Sequence, residues 1–175
     1  MAGGTVWIDN FSVEKLRTAL SSGNVTTFVT VPSIARTLVS DITDTGSLRL
    51  LVLGGDFADK ELIDALALKW PALYFANVYG CTETSAADLI LNPTMLGDNI
   101  EECYTLGRPG RYSTVRVLDN ETKKDVSQGT IGCIWIKGPF VTKNYIGVDA
   151  LVSDDELGFC TNDLGFIDGK GRFCF

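Results

Sequence analysis

Two short segments that are apolar at almost every position constrain the fold more than any other feature of this sequence. Residues 48–53, interrupted only by Arg49, and residues 73–79 each run into a glycine. Between them, residues 59–69 carry apolar side chains at helical spacing, and Pro71 stops that helix. Strands that are apolar on both faces are typical of buried parallel sheets, whose neighbours are joined by crossover helices. The pattern therefore predicts parallel strands alternating with helices.

The residues that precede this unit continue the alternation. Residues 5–8 and 25–31 are rich in β-branched and aromatic side chains. A helix is predicted to begin after Ser12, which suits an N-cap, and to end at Gly23. Pro32 favours the first turn of another helix. The first half of the chain is therefore expected to form an α/β layer.

The second half of the chain lacks helical periodicity. Residues 114–119 and 131–138 predict strands, and Asp168-Gly169 is placed where a hairpin could reverse. We therefore predict an α/β fold with two parts. Residues 1–102 would form a parallel α/β subdomain, and residues 103–175 a small antiparallel β subdomain. Because the last predicted strand runs to the final residue, we expect the chain to be a piece of something longer.

Composition excludes several classes of protein. With 175 residues, 45% apolar and 21% charged, the chain has an ordinary globular composition, close to one domain in length. No apolar run approaches the ~20 residues of a membrane helix, and no secretory signal is visible. The net charge is −7, and no more than two basic residues are adjacent. We therefore expect a cytoplasmic protein that binds neither nucleic acid nor membrane.

Histidine is absent from the sequence. Its absence excludes Ser-His-Asp and Cys-His nucleophilic sites and histidine-ligated metals within this chain. The five cysteines are scattered without a CxxC pair. We expect them to be reduced thiols rather than a disulfide framework or a zinc ribbon.

Candidate chemistry lies where the predicted strands end, since open parallel sheets bind ligands beyond the carboxyl ends of their strands. Gly54-Gly55 would let the backbone approach a ligand closely, and Tyr79 offers a stacking face. Thr82 could contact a phosphate oxygen, and Glu83 could hold Mg²⁺. The same residues also suit a plain strand end and a helix start. Both interpretations remain open on the residues alone.

A third segment, residues 159–165, contains Asp163 on a turn between strands. Such an aspartate is commonly solvated surface. Its carboxylate could instead accept hydrogen bonds from both hydroxyls of a ribose. The segment by itself leaves both alternatives open.

Three segments in this order resemble motifs of one superfamily. They read NVYGCTET from residue 77, GTIGCIWIKGPFVTKNYIG from residue 129, and FCTNDLGFIDGKGRFCF from residue 159. The shorter sequences VPS, SLRLLVLGGD, LGRPG and VLD agree in order and spacing. Together they resemble the adenylate-forming enzymes, which include acyl-CoA synthetases, luciferases and nonribosomal-peptide adenylation domains.

The resemblance implies a role for each matched residue. ATP or AMP and Mg²⁺ are the implied cofactors, and Thr82 and Glu83 are the implied catalytic residues. The implied nucleotide-binding residues are Gly55, Asn77, Val78, Tyr79, Thr82 and Asp163, with Glu83 as the metal ligand. Ungapped counting from Gly55 and Glu83 gives an implied substrate pocket of Thr30, Val52, Gly54, Val78, Ala86 and Ala87. These side chains are small or uncharged, so charged substrate side chains should be rejected. Ala86 and Ala87 could equally be core residues of a helix.

The implied reaction joins ATP and a carboxylic acid or amino acid into acyl-AMP and pyrophosphate. The leading hypothesis is a fragment of an adenylation domain that activates an amino acid or related carboxylic acid in a peptide-synthetase or similar multidomain setting, with a carrier domain or CoA as acceptor. The alternative is a fragment of an acyl- or aryl-CoA ligase. A third alternative is a noncatalytic piece that binds nucleotide or a partner. The chain matches neither the family's phosphate loop nor its lysine-bearing mobile domain, so the remaining parts of the adenylation domain are implied partners. We expect the isolated chain to be inactive.

Two positions depart from the family pattern. Cys81 stands where the peptide-synthetase motif has proline, which weakens any assignment to amino acids. Asn162 replaces a glycine, and since asparagine tolerates left-handed backbone conformations, we expect the turn to be kept.

Overall fold

The computed structural model describes residues 4–6, 12–85, 87–147 and 152–175. The helices are α1 (Val13–Ser21), α2 (Pro32–Asp41), α3 (Lys60–Lys69) and the short α4 (Ile100–Cys103), and Thr82–Thr84 form a 3₁₀ turn. Within these ranges no helix combines the length and apolar character that a bilayer span requires.

The helix ends follow the predicted signals. The Oγ of Ser12 accepts a hydrogen bond from the Lys15 amide at 3.2 Å, and Gly23 follows the end of α1 with φ +72°. Pro32 occupies the first turn of α2. The predicted helix boundaries are therefore confirmed. The predicted strand at residues 5–8 falls partly outside the described residues.

The first sheet contains five strands in the order β1 (Thr27–Thr30), β2 (Leu50–Gly54), β3 (Tyr74–Tyr79), β4 (Leu89–Met95) and β5 (Arg108–Pro109). The pairs β1–β2 and β2–β3 are parallel, and β4 and β5 add antiparallel strands at one side. The parallel layer is therefore confirmed, and the antiparallel extension is an addition to it.

The second sheet is antiparallel, in the order β10 (Phe173–Cys174), β9 (Gly158–Ile167), β7 (Gly132–Lys137) and β6 (Thr114–Leu118). A two-residue strand, β8 (Ser153–Asp154), pairs with β9. The hairpin predicted at Asp168-Gly169 joins β9 to β10. Both halves of the predicted fold class are therefore confirmed.

The two sheets are joined along the segment that follows α4. The Leu106 amide donates to the Phe173 carbonyl at 2.8 Å, and the Phe173 amide donates to the Gly107 carbonyl at 2.9 Å. Gly107 has φ +80°, and a Cβ there would lie 2.0 Å from the Ile90 carbonyl oxygen, so the close approach requires glycine. The subdomain boundary between residues 102 and 103 remains a prediction, although β5 still belongs to the first sheet.

Each layer has its own apolar core. The larger cluster packs α1, α2 and α3 onto the first sheet around fully buried Leu51, Leu53 and Phe75. The second cluster contains Leu89 of β4, the linker residue Leu106 and side chains of the second sheet. Because this cluster contains side chains from both sheets, it holds the two sheets together at the edge where their loops meet.

Candidate active site

A cavity of about 500 Å³ opens beyond the carboxyl ends of β2 and β3. A volume in this range is usual for small-molecule and cofactor sites. Its lining residues are Gly55, Asp56, Phe57, Ala58, Asn77, Val78, Tyr79, Gly80, Leu106, Asp163 and Phe175. The cavity therefore gathers five predicted nucleotide-binding residues, namely Gly55, Asn77, Val78, Tyr79 and Asp163, from both sheets.

The glycines after β2 bring two backbones together. A Cβ on Gly54 would lie 2.6 Å from Cγ2 of Val78, its register partner on β3. Gly55 has φ +79°, a conformation that other residues rarely adopt. The β2–β3 end is thus closed by packing at Gly54, while Gly55 presents its backbone to the cavity.

Tyr79 and Asp163 meet across the cavity although 84 residues separate them in sequence. The Tyr79 hydroxyl donates to Oδ2 of Asp163 at 2.6 Å. Burial, and next the hydrogen bond to Asp163, raise the pKa of Tyr79 far above its usual value, so the phenol stays a donor. The contact ties the end of β3 to the middle of β9.

A tight turn in β9 aims Asp163. Asn162 has φ +63°, which confirms the expected left-handed turn. The Asp163 amide donates to the Oγ1 of Thr161 at 3.1 Å, while the side chain of Asp163 remains exposed. The carboxylate is therefore a preset acceptor at the rim of the cavity.

Two phenylalanines complete the wall, and the sequence reasoning missed both. The rings of Phe57 and Phe175 meet edge to face at 5.3 Å, and those of Tyr79 and Phe175 at 5.6 Å. Half-exposed aromatic faces of this kind suit a planar ligand. For Phe57, its place directly after the Gly54-Gly55-Asp56 strand end was the available signal.

Glu83 lies on the 3₁₀ turn and is held by a distant loop. The Tyr145 hydroxyl donates to its Oε1, and the Thr142 amide donates to its carbonyl at 2.7 Å. The hydrogen bond from Tyr145 lowers the pKa of Glu83, so the carboxylate is ionised at neutral pH. Tyr145 belongs to the second matched motif, but nothing in the sequence connected it to Glu83.

The donor set fits a magnesium ion that is shared with a ligand. In the described parts of the chain, no group of three or more His, Cys, Asp or Glu side chains could enclose a metal. Mg²⁺ commonly takes one or two carboxylates together with substrate phosphates. One ionised carboxylate at Glu83 is compatible with that arrangement.

The 3₁₀ turn tests the alternative interpretation, in which residues 82–87 begin a helix. It is three residues long and ends at Thr84, and the next residue, Ser85, has φ +56°. Thr82 is exposed and does not line the cavity. Ala87 is exposed and outside any helix, so its interpretation as a helix-core alanine is wrong. Ala86 lies outside the described residues.

The remaining predicted substrate-pocket residues divide between the faces of the first sheet. Side chains two apart on one strand share a face, so Val52 and Gly54 lie together, and Val78 joins them through its register with Gly54. Thr30 pairs with Leu53 and therefore lies on the opposite face. Of these residues, Val78 lines the cavity. Whether they form an acyl pocket stays a prediction.

Comparison with known proteins gives a consistent result. A family model described as AMP-binding enzyme matches residues 1–146. The 2-succinylbenzoate–CoA ligase of Bacillus licheniformis is 32% identical over 82% of this chain, which spans 30% of that protein. The 4-coumarate–CoA ligase-like 9 protein of Arabidopsis thaliana is 29% identical over 94% of this chain and is again matched over 30% of its own length.

A solved structure supports the fold. The ATP-bound RpMatB-BxBclM chimera B3 superposes with a TM-score of 0.79 at 27% identity, over 94% of this chain and 32% of the chimera. The chain thus spans about a third of the length of the proteins that it matches here.

Proposed function

The chain belongs to the AMP-binding enzyme family, and from this premise we propose that its cavity holds the adenosine part of ATP in an adenylate-forming ligase. The ligase would convert ATP and a carboxylic acid into acyl-AMP and pyrophosphate. The observation that carries the proposal is the hydrogen bond between Tyr79 and Asp163, which joins the first and third matched motifs across one cavity.

The lining chemistry fits a nucleoside. The Gly55 backbone allows close approach, and the aromatic side chains of Tyr79 and Phe175 offer surfaces to a planar base. Asp163 would accept hydrogen bonds from the ribose hydroxyls, as an ionised carboxylate does most strongly. Tyr79 would orient that carboxylate by donating to one of its oxygens.

Glu83 would serve the phosphate end of the nucleotide. Its carboxylate, kept ionised by Tyr145, would hold Mg²⁺ together with phosphate oxygens. The magnesium ion would supply positive charge to the phosphates. Thr82 would donate its hydroxyl to the α-phosphate, and its exposure leaves it accessible to a ligand. The chain's own part in catalysis would be positioning.

CoA is the acceptor that the relatives favour. The names of both relatives reported above contain CoA ligase. We therefore take a carboxylic acid as substrate and CoA as acceptor, which corresponds to the acyl- or aryl-CoA ligase alternative. Binding of CoA thioester products by the enzyme that contains this chain would test that choice.

The nucleotide site can be tested by calorimetric titration of the 175-residue chain with AMP. Asp163→Ala should weaken binding by roughly 10- to 150-fold, because hydrogen bonds to a charged group contribute about 1.5–3 kcal/mol. Asp98→Ala is the matched control, since it removes the same charge from an exposed position outside the cavity.

An AMP analogue without the ribose hydroxyls tests the role of Asp163 more specifically. Removing both ribose hydroxyls from AMP should cost the unaltered chain most of the same affinity, and should cost Asp163→Ala little. Equal AMP affinity in Asp163→Ala and Asp98→Ala would contradict the proposed site. Thermal melts of both variants exclude unfolding as the cause of a loss.

A further inference from the structure

We infer that Cys133 and Cys160 form a reversible disulfide, a modification site that the adenylation chemistry does not use. Their Sγ atoms lie 3.2 Å apart, with both thiols free. Since a disulfide bond is about 2.05 Å long, closing it requires the sulfurs to approach by only about 1.2 Å.

The sheet register holds the two thiols on one face. Cys160 pairs with Trp135 across the antiparallel strands β7 and β9, and Cys133 lies two residues before Trp135. The register shifts between these two positions, so that Cys133 pairs with Leu164 and lies diagonally across from Cys160. Both sulfurs pack in one small apolar cluster with Leu118 and Trp135. The thiols are therefore prealigned by backbone pairing and not by a flexible loop.

The other three cysteines, which all lie in described parts of the chain, have different surroundings. The sulfur of Cys81 contacts the Thr84 hydroxyl, that of Cys103 donates to the Asn99 carbonyl, and that of Cys174 donates to the Arg172 carbonyl. Of the five cysteines, Cys133 and Cys160 are the two whose sulfur atoms approach each other. This pairing distinguishes them from ordinary buried thiols.

The two thiols differ in solvent accessibility, and this difference determines which one reacts first. Cys160 is half-buried, whereas Cys133 is 1% exposed, and burial followed by the neighbouring thiol raises the pKa of Cys133 to about 11. Cys160 is therefore the thiol that meets an oxidant, and Cys133 is the one that resolves it. Because the thiolate is the attacking species, the buried Cys133 thiol makes the second step the slower one.

The oxidant class is a small disulfide such as glutathione disulfide. The Cys160 thiolate attacks one glutathione sulfur, forming a mixed disulfide and releasing one glutathione thiolate. The Cys133 thiolate then attacks the Cys160 sulfur and releases the second glutathione. The two cysteine protons end on the two glutathione thiols, so two thiols and one disulfide become one disulfide and two thiols.

The disulfide bond would lie close to the left-handed turn that precedes Asp163. Cys160 lies three residues before Asp163, and its thiol also contacts the Asn162 side chain at 3.5 Å. A cross-link at Cys160 thus anchors the strand that leads into the left-handed turn. Formation of the bond does not depend on whether the cavity binds nucleotide.

The test is incubation of the 175-residue chain with excess glutathione disulfide, followed by denaturation, alkylation and mass spectrometry. We expect the number of alkylated cysteines to fall by two from the five in the sequence. The intact mass before alkylation should fall by about 2 Da, since two hydrogens leave. Peptide mapping should join Cys133 to Cys160, and dithiothreitol should restore all five thiols.

Variants separate this pair from general oxidation. Cys133→Ser should retain a glutathione on Cys160, because the resolving thiol is missing, and Cys160→Ser should form no internal cross-link. Cys174→Ser is the matched control and should keep the cross-link. Retention of all five thiols under oxidation, or a cross-link that maps to a different pair, would overturn the inference.

Discussion

Replacing Arg172 by methionine tests what holds the two sheets together. The side chain of Arg172 is 8% exposed. Its Nη1 donates to Oε2 of Glu102, near the first sheet, at 2.6 Å, and its Nε donates to Oδ2 of Asp168, in the β9–β10 hairpin, at 2.7 Å. Burial alone raises the pKa of Asp168, but hydrogen bonds from Arg172 outweigh it, so the net pKa lies below its usual value. One buried cation thus links helix α4 to the β9–β10 hairpin.

The structure sets the size of the expected effect. Removing one partner of a buried ion pair costs about 3–5 kcal/mol, because the other charge is left without compensation. The side chains of Asp168 and Glu102 are 17% and 26% exposed, so water can partly replace the guanidinium. We therefore expect the lower end, a loss of about 3 kcal/mol in the free energy of unfolding.

Arg116→Met is the matched control. Arg116 also donates two hydrogen bonds to one aspartate, Asp125, at 2.8 and 2.7 Å, but the two side chains are 35% and 64% exposed. Exposed pairs of this kind contribute about 0.2–1 kcal/mol. Urea denaturation monitored by circular dichroism measures both variants. With a urea slope near 2 kcal/mol per molar, Arg172→Met should lower the midpoint by about 1.5 M. A midpoint no lower than that of Arg116→Met would refute the reasoning.

Two further predictions concern the phosphate end of the site. Tyr145→Phe should raise the pKa of Glu83 toward its usual range, measured by NMR titration of the carboxyl carbon. Because a depressed carboxylate pKa stabilises the fold above the unfolded pKa and this contribution is lost as the pH falls, the stability difference between Tyr145→Phe and the unaltered chain should shrink in acid. An unchanged Glu83 titration would contradict the hydrogen bond. Separately, the 175-residue chain alone should give no substrate-dependent ATP–pyrophosphate exchange, since nothing in it matches the family's phosphate loop or lysine-bearing domain and developing pyrophosphate needs such charge. Exchange above the level of a Glu83→Gln control would overturn this expectation.

The sequence predicted the parallel layer because local signals and burial agreed there. The apolar run at residues 48–53 contains β2, whose alternate side chains are buried on the helix-covered face and half-buried on the other. Ser12 and Pro32 act within a few residues of the helix ends that they set. The antiparallel strand β4 was missed because Pro93 interrupts its pattern. Pro93 lies beyond the two residues of β4 that pair with β5, at the point where the β3–β4 register shifts between Phe75 and Asn77, and such an irregularity tolerates a missing amide.

The site was predictable in its strand-end residues and not in its long-range partners. Gly55 follows β2 and Tyr79 is the last residue of β3, so the rule that ligands bind at the carboxyl ends of strands was sufficient to find them. Tyr145 contacts Glu83 although 62 residues separate them in sequence, and no periodicity or spacing predicts a contact between them. Phe175 reaches the cavity because the β9–β10 hairpin is hydrogen-bonded to Leu106 and Gly107. This packing depends on tertiary structure alone.

The position of the cavity at the meeting of the two sheets links ligand binding to the stability of their junction. Tyr79 comes from the first sheet and Asp163 from the second, so a nucleoside that contacts both is bound only while the sheets are docked. The docking depends on Arg172 and on the backbone hydrogen bonds at Gly107 and Phe173, none of which line the cavity. A ligand that binds the docked form alone stabilises it in proportion to the logarithm of its concentration over its dissociation constant. Substitutions at the junction should therefore weaken nucleotide binding without removing a single ligand contact.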